Sequence, residues 1–412
     1  MTDITTNISL NVPTEYATIQ DALNFLEGKT ITGSVDILVA DGTYDISSSI
    51  SPKVLDYSHL TIRGNEADCT KCILLVNNTN NCDGFLFEDG YGVSWLNGFT
   101  IRGNSGWTAK GEWNDQCYGA GIRAVNSGNV VLGNQIQIDK MYYGIRSMNG
   151  SYVQASTSPN GTNKGGGIKC YNAGDVAFHA YNASLIIPCA EAYYAAHNEE
   201  GLGFGFCAEA GGFISCEYSI AEGNNKAGFY ALSNGTNWAH GVEASYNTYG
   251  VLGWGGTVEC NTLGSFTTNL HNNSVAGVYA TYKGFVGANG AISYNNLHGF
   301  KSDFSGIIDI TNTQANNNTS NGYYAADGGE IVGYNAVASG NTDSGFQAEN
   351  GSRMNVPNSS ANNNTHGYYA KNVANIFCSG FGGTGNTYFC SPDQSSVNAS
   401  GGNLSSFIVD TL

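Results

Sequence analysis

Gly277-Val-Tyr-Ala280, Gly322-Tyr-Tyr-Ala325, Gly345-Phe-Gln-Ala348 and Gly367-Tyr-Tyr-Ala370 are variants of one short phrase. Working outward, copies of it start at Gly121, Gly144, Gly167, Gly205, Gly228, Gly250, Gly277, Gly299, Gly322, Gly345 and Gly367. The starts are 22 or 23 residues apart, except for 38 after Gly167 and 27 after Gly250. A period this short, held this long, describes one small unit stacked on itself. Within the phrase a large apolar residue follows the glycine and a small one closes it, with Tyr, Arg, Lys or Gln between. That alternation describes a strand with one buried face. Turn residues follow, as in Asn126-Ser127-Gly128 and Asn350-Gly351, and then a second alternating pair such as Ile308 with Ile310 or Ile376 with Cys378. Each unit therefore holds at least two strands.

Asparagine recurs 19 residues after the glycine, at Asn163, Asn224, Asn247, Asn269, Asn296, Asn318, Asn341, Asn364 and Asn386. An amide at one phase of every coil can bond the amide above and below while satisfying backbone groups in a bend. Helical repeats have no use for such a row, and Gly, Asn and β-branched residues are too frequent for helices.

These features resemble the right-handed parallel β-helix proteins, a group that includes pectate-lyase-like and pectinesterase-like enzymes and bacteriophage tailspikes and tail fibres. Residues 16–26, with a capping box at Thr18–Asp21 and an apolar stripe of Ile19, Ala22, Leu23 and Leu26, are similar to the capping helix of those solenoids. The resemblance implies an all-β, single-stranded, right-handed parallel β-helix. We read residues 1–15 as an arm or attachment segment, 16–390 as the solenoid with its capping helix, and 391–412 as a C-terminal cap.

The chain of 412 residues carries 16 basic against 33 acidic residues, a net charge of −17. Nucleic acid and anionic lipid are disfavoured as partners, and a polysaccharide or protein fits better. No apolar run has the length of a membrane span, and residues 1–15 lack the basic head and apolar core of a signal peptide. The eleven cysteines are odd in number and scattered, as expected of small buried thiols. Cys69-Thr-Lys-Cys72 lacks a second pair, so no metal and no other cofactor is expected.

For chemistry, Glu209 and Glu217 are candidate acid and base, with His240 stacked beside Glu217 and His179 at the same phase farther along. Trp238 and Trp254, with the tyrosine stripe Tyr230, Tyr279 and Tyr324, are candidate sugar-binding residues, because aromatic rings suit the apolar faces of sugars. The stripe begins as the basic column Arg123, Arg146 and Lys169. A second acidic group comprises Asp303, Asp309, Glu330 and Glu349. The resemblance implies, first, a tailspike or tail-fibre protein of a virion, a homotrimer contacting other tail or baseplate proteins and the host surface polysaccharide. A polysaccharide depolymerase, lyase or glycosidase, is the alternative, and a non-catalytic adhesive or structural surface protein the third reading.

Overall fold

The computed structural model describes residues 3–54, 57–77, 81–104, 119–157, 164–195, 203–393 and 396–398. Contacts divide the chain into two units, residues 1–216 and 217–412, each built of parallel coils. Every regular coil contributes three short strands, one to each of three parallel sheets, where the sequence had required at least two. In the second unit one coil runs Phe285–Gly287, Ile292–Tyr294 and His298–Ser302, and the next runs Ile307–Asp309, Gln314–Asn316 and Tyr323–Ala325. Phe285 pairs with Ile307, Ile292 with Gln314 and Phe300 with Tyr323, so like phases lie in register. The fold is a right-handed parallel β-helix, the hand that parallel crossovers adopt.

In the first unit the helix Ile19–Leu26 buries Ile19, Ala22, Leu23 and Leu26. Its Thr18 side chain accepts from the Asp21 N–H, and the Asp21 carboxylate accepts from the Thr18 N–H. The capping box read from the sequence is formed. The segment Ile8–Val12 pairs with Val35–Val39 as the first strand of its sheet. Ser396–Asn398 likewise pairs with Asn375–Phe377 in the second unit, whereas residues 399–412 of the expected C-terminal cap lie outside the described residues.

The asparagine row of the second unit is a continuous ladder. Each side-chain oxygen accepts both the backbone N–H and the side-chain N–H of the asparagine one coil earlier: Asn224 onto Asn247, Asn247 onto Asn273, Asn273 onto Asn296, and on through Asn318, Asn341 and Asn364 to Asn386. One member corrects the sequence reading: Asn273 holds the place assigned to Asn269, which lies in the strand Asn269–His271. The coil after Gly250 carries an extra loop closed by an antiparallel bridge between Leu263 and Phe266, which displaces the ladder position. Asn163 lies outside the described residues.

The ladder also explains the repeated glycine. A Cβ on Gly322 would sit 2.8 Å from the Gly345 carbonyl oxygen and 2.9 Å from Nδ2 of Asn341, and Gly299 and Gly345 face the same arrangement. Gly322 has no positive φ, so space rather than backbone freedom demands it. Gly322→Ala is expected to cost about 1–3 kcal/mol of stability, as overpacked core sites do. A urea melt of the variant superimposing on that of the native chain would contradict this account.

Inside the same unit the large apolar residue after each glycine forms a column of stacked rings. Phe300, Tyr323, Phe346 and Tyr368 follow one another at centroid separations of 5.0, 4.7 and 4.9 Å. The buried Tyr323 hydroxyl donates to the Val337 carbonyl and contacts the Thr313 hydroxyl, and that of Tyr368 meets Ser359, so the polar tips are satisfied. Cys69, Cys72, Cys82, Cys170, Cys189, Cys207, Cys216, Cys260 and Cys378 are buried and unbridged. Among the described residues, no helix is long and apolar enough to cross a membrane.

Candidate functional site

In the first unit, the outer face of the third sheet collects charge. Its strands Ala120–Val125, Tyr143–Met148, Val176–Tyr181 and Phe204–Glu209 place Arg123, Arg146, His179 and Cys207 in one column of directly opposed residues. This corrects two sequence assignments. Gly167 does not open a strand of this sheet: Lys169–Tyr171 belongs to the second sheet, where Lys169 pairs with Gln137 and Glu191. The copy that follows Gly144 here is Ala177-Phe-His-Ala180, with alanine in the glycine's place, 33 residues after Gly144. His179 therefore continues the arginine column and does not share the phase of His240, which follows a first-sheet strand, Thr236–Trp238.

Around this column the groups are paired in a definite order. Asp83 is fully buried, accepts the Ala120 N–H at 2.8 Å and meets the Arg123 guanidinium at 2.6 Å. Burial nevertheless pushes its carboxyl up to about 6, against the lowering effect of Arg123. His179, 3% exposed, lies with Nε2 3.3 Å from the Glu209 carboxylate. Burial lowers the imidazole's affinity for a proton, and the hydrogen bond from His179 holds the Glu209 carboxyl below its ordinary value. The consistent state is a neutral imidazole donating from Nε2 to an ionised carboxylate, which leaves Nδ1 as a buried lone pair without a partner. Tyr143 stacks on His179 at 5.6 Å, and burial raises its phenol to about 12, so it keeps its proton at neutral pH.

Arg146 stands apart from this pairing. Its guanidinium carbon lies 4.0 Å from the Tyr143 ring centre, and it makes no hydrogen bond or ion pair to a carboxylate among the described residues, although Arg102 and Arg123 each do. The side chain is half-buried. A guanidinium without a hydrogen-bonded carboxylate has the chemistry to bind a planar anion.

Of the residues chosen from sequence, Glu209 lies in this cluster. Glu217 and His240 belong to the second unit, where burial lowers the His240 imidazole and the Glu217 and Glu259 charges oppose that shift. Trp238 lies near His240 at a ring separation of 6.4 Å. Trp254, Tyr282 and Phe304 form an exposed stack at 4.7 and 5.2 Å. The tyrosine stripe is less open than expected: Tyr230 and Tyr279 are 6% and 9% exposed. Tyr279 donates to Asp303, and Tyr324 donates to Glu349 while stacking on His298 at 4.8 Å. The second acidic group is divided. Asp303 and Glu349 lie on or beside third-sheet strands in satisfied networks with Lys301 and Lys371, while Asp309 and Glu330 sit on first-sheet strands.

His298 gives a pH test of the second unit. Burial, with Lys301 nearby, pushes it down to about 4, against the opposing charges of Asp343 and Glu349. Its folded value lies below the unfolded one of about 6.5, so folding excludes a proton and stability falls as pH drops from about 6.5 to about 4. The loss reaches roughly 3 kcal/mol at about 1.4 kcal/mol per pH unit. Melting temperatures across that window are expected to decline more steeply for the native chain than for His298→Gln; parallel curves would contradict the assignment.

No family model matches this chain, and no curated protein does. Among solved structures it is similar to the catalytic domain of a GH87 alpha-1,3-glucanase in complex with tetrasaccharides, at 14% identity and a TM-score of 0.46 over 97% of this chain and 68% of that one. It is also similar to the A-module of the Azotobacter vinelandii mannuronan C-5 epimerase AlgE6, at 13% identity and a TM-score of 0.47 over 93% of this chain and 92% of that one. A third is the periplasmic alginate epimerase AlgG, at 11% identity and a TM-score of 0.39 over 96% and 83%. Likeness at this level leaves activity to be argued from the residues themselves.

Proposed function

We propose that the chain is a polysaccharide-acting enzyme of the lyase type, working on a glycan whose sugars carry carboxylates. The observation that carries this reading is Arg146, half-buried and without a carboxylate partner among the described residues, beside the Glu209–His179 pair. A uronate carboxylate is a planar anion that a guanidinium binds with two parallel hydrogen bonds. Pairing it with Arg146 lowers the cost of removing the proton on the adjacent ring carbon, because negative charge then develops on that carboxylate.

Glu209 is ionised and its side chain is one-third exposed, so it is the group placed to accept that proton. His179 acts through Glu209, as a positioning residue that fixes the carboxylate. The Tyr143 phenol holds a proton to donate to the departing glycosidic oxygen. The C–H electron pair becomes a ring double bond as the bond to that oxygen breaks, so no water is consumed. Hydrolysis of a neutral glycan gives Arg146 no such task.

The test is incubation with acidic polysaccharides, such as polygalacturonate and alginate, alongside a neutral glucan. Expected are shortened chains bearing a new conjugated double bond, read as rising ultraviolet absorbance, from an acidic glycan only. New reducing ends without that absorbance mean a hydrolase. A second reading draws on the exposed Trp254, Tyr282 and Phe304 rings: a trimeric tail fibre or tailspike that holds host polysaccharide without cutting it. Those rings face one another, leaving chiefly their edges and the two end faces for a sugar. That reading expects binding with no change in glycan size.

A further inference from the structure

We propose that His179, Cys207 and Glu209 form a binding site for a thiophilic divalent metal ion of the zinc class, and that an ion bound there silences the proton transfer. The second half rests on the function proposed above; the first does not.

Among the described residues this is the one group of three such side chains whose donor atoms all lie within 4.8 Å of one another. The strand register builds it. His179 and Cys207 are directly opposed on adjacent strands, and Glu209 follows two residues after Cys207 on the same face. Zinc bonds of about 2.0–2.3 Å in a tetrahedron place donor atoms roughly 3.3–3.7 Å apart, so closure needs only side-chain adjustment. His179 and Cys207 are each 3% exposed, and the more open Glu209 provides the entry and leaves room for a fourth ligand.

The donor chemistry fits. A metal needs the neutral imidazole, which burial already favours; Nε2, which lies 3.3 Å from the Glu209 carboxylate, is the ligand atom once the ring proton moves to Nδ1. Cys207 is protonated in the free protein and loses that proton to solvent on ligation, so thiolate and carboxylate together neutralise the ion's two charges. A nitrogen, sulfur and oxygen set selects zinc or cobalt over calcium or magnesium. The nearest cation, Arg146, lies over the Tyr143 ring. Ligation replaces the His179–Glu209 hydrogen bond and occupies the proposed base, which is why the metal inhibits.

The experiment titrates the full chain with Co²⁺, following the near-ultraviolet thiolate-to-cobalt charge-transfer band, and with Zn²⁺ by calorimetry. One equivalent with a saturable band is expected. Cys207→Ser should lose the band and bind Zn²⁺ at least about 10-fold more weakly, while its glycan turnover persists and no longer responds to zinc. Cobalt binding without the band in the native chain, or no binding, overturns the site even if the variant cannot be purified. A band that persists in Cys207→Ser places the metal on another cysteine and overturns it too. A band with no turnover of any acidic glycan sinks the enzyme reading and the inhibition, and leaves the metal site standing.

Discussion

Glu209→Gln is expected to lower turnover of an acidic polysaccharide by about 10²–10⁴-fold, the usual contribution of a positioned proton-transfer group. The amide keeps the shape and its oxygen still accepts from His179, so the thermal melt should stay close to that of the native chain. What it loses is the capacity to take a proton. Arg146→Ala should act differently, weakening the response to carboxylated glycans and leaving any turnover of neutral glucan where it was. Glu217→Gln is the control that locates the chemistry. If it abolished turnover while Glu209→Gln kept it, the acid–base pair would lie with Glu217 and His240 in the second unit. Initial rates for the three variants on one substrate decide among these outcomes.

Asn318→Leu is the change with the largest expected effect on stability, about 3–5 kcal/mol. Its side-chain oxygen accepts the backbone and side-chain N–H groups of Asn296, and its own backbone and side-chain N–H groups donate to Asn341. Leucine leaves two to three buried polar groups without partners, at about 1–3 kcal/mol each, and returns little because the site is already full. The branched side chain would also press on Gly299, whose Cβ position lies 3.1 Å from the Asn318 amide. Equilibrium unfolding in urea measures the loss. A midpoint equal to that of the native chain would show that the ladder carries no free energy.

Much of the fold was legible because it depends on repetition. Seven of the nine asparagines placed by counting from a glycine stand in the ladder, and the capping helix announced itself through Thr18, Asp21 and one apolar stripe. Counting failed where coils changed length. The loop closed by Leu263 and Phe266 moved the ladder from Asn269 to Asn273. The longer coil before His179 hid a strand whose glycine is Ala177, and with it the column from Arg123 to Cys207. The signal was present in the likeness of Phe178-His-Ala180 to Phe206-Cys-Ala208. Tyr230 and Tyr279 of the stripe are buried for a different reason: strand alternation reports which face a side chain takes, not whether neighbours such as Asp303 beside Tyr279 cover it.

The detour at Leu263–Phe266 sets two rules for how such a chain is edited over generations. The extra residues leave at a corner and return before Asn273, so the amide row passes through unbroken. Length at that corner is a local variable that a graft or a small insertion can change one residue at a time. Along the ladder the number of coils is not, because a segment duplicated or deleted there must carry one ladder asparagine. Growth along the axis therefore comes in whole steps of about two dozen residues, while the loops are free to diversify around a fixed spine.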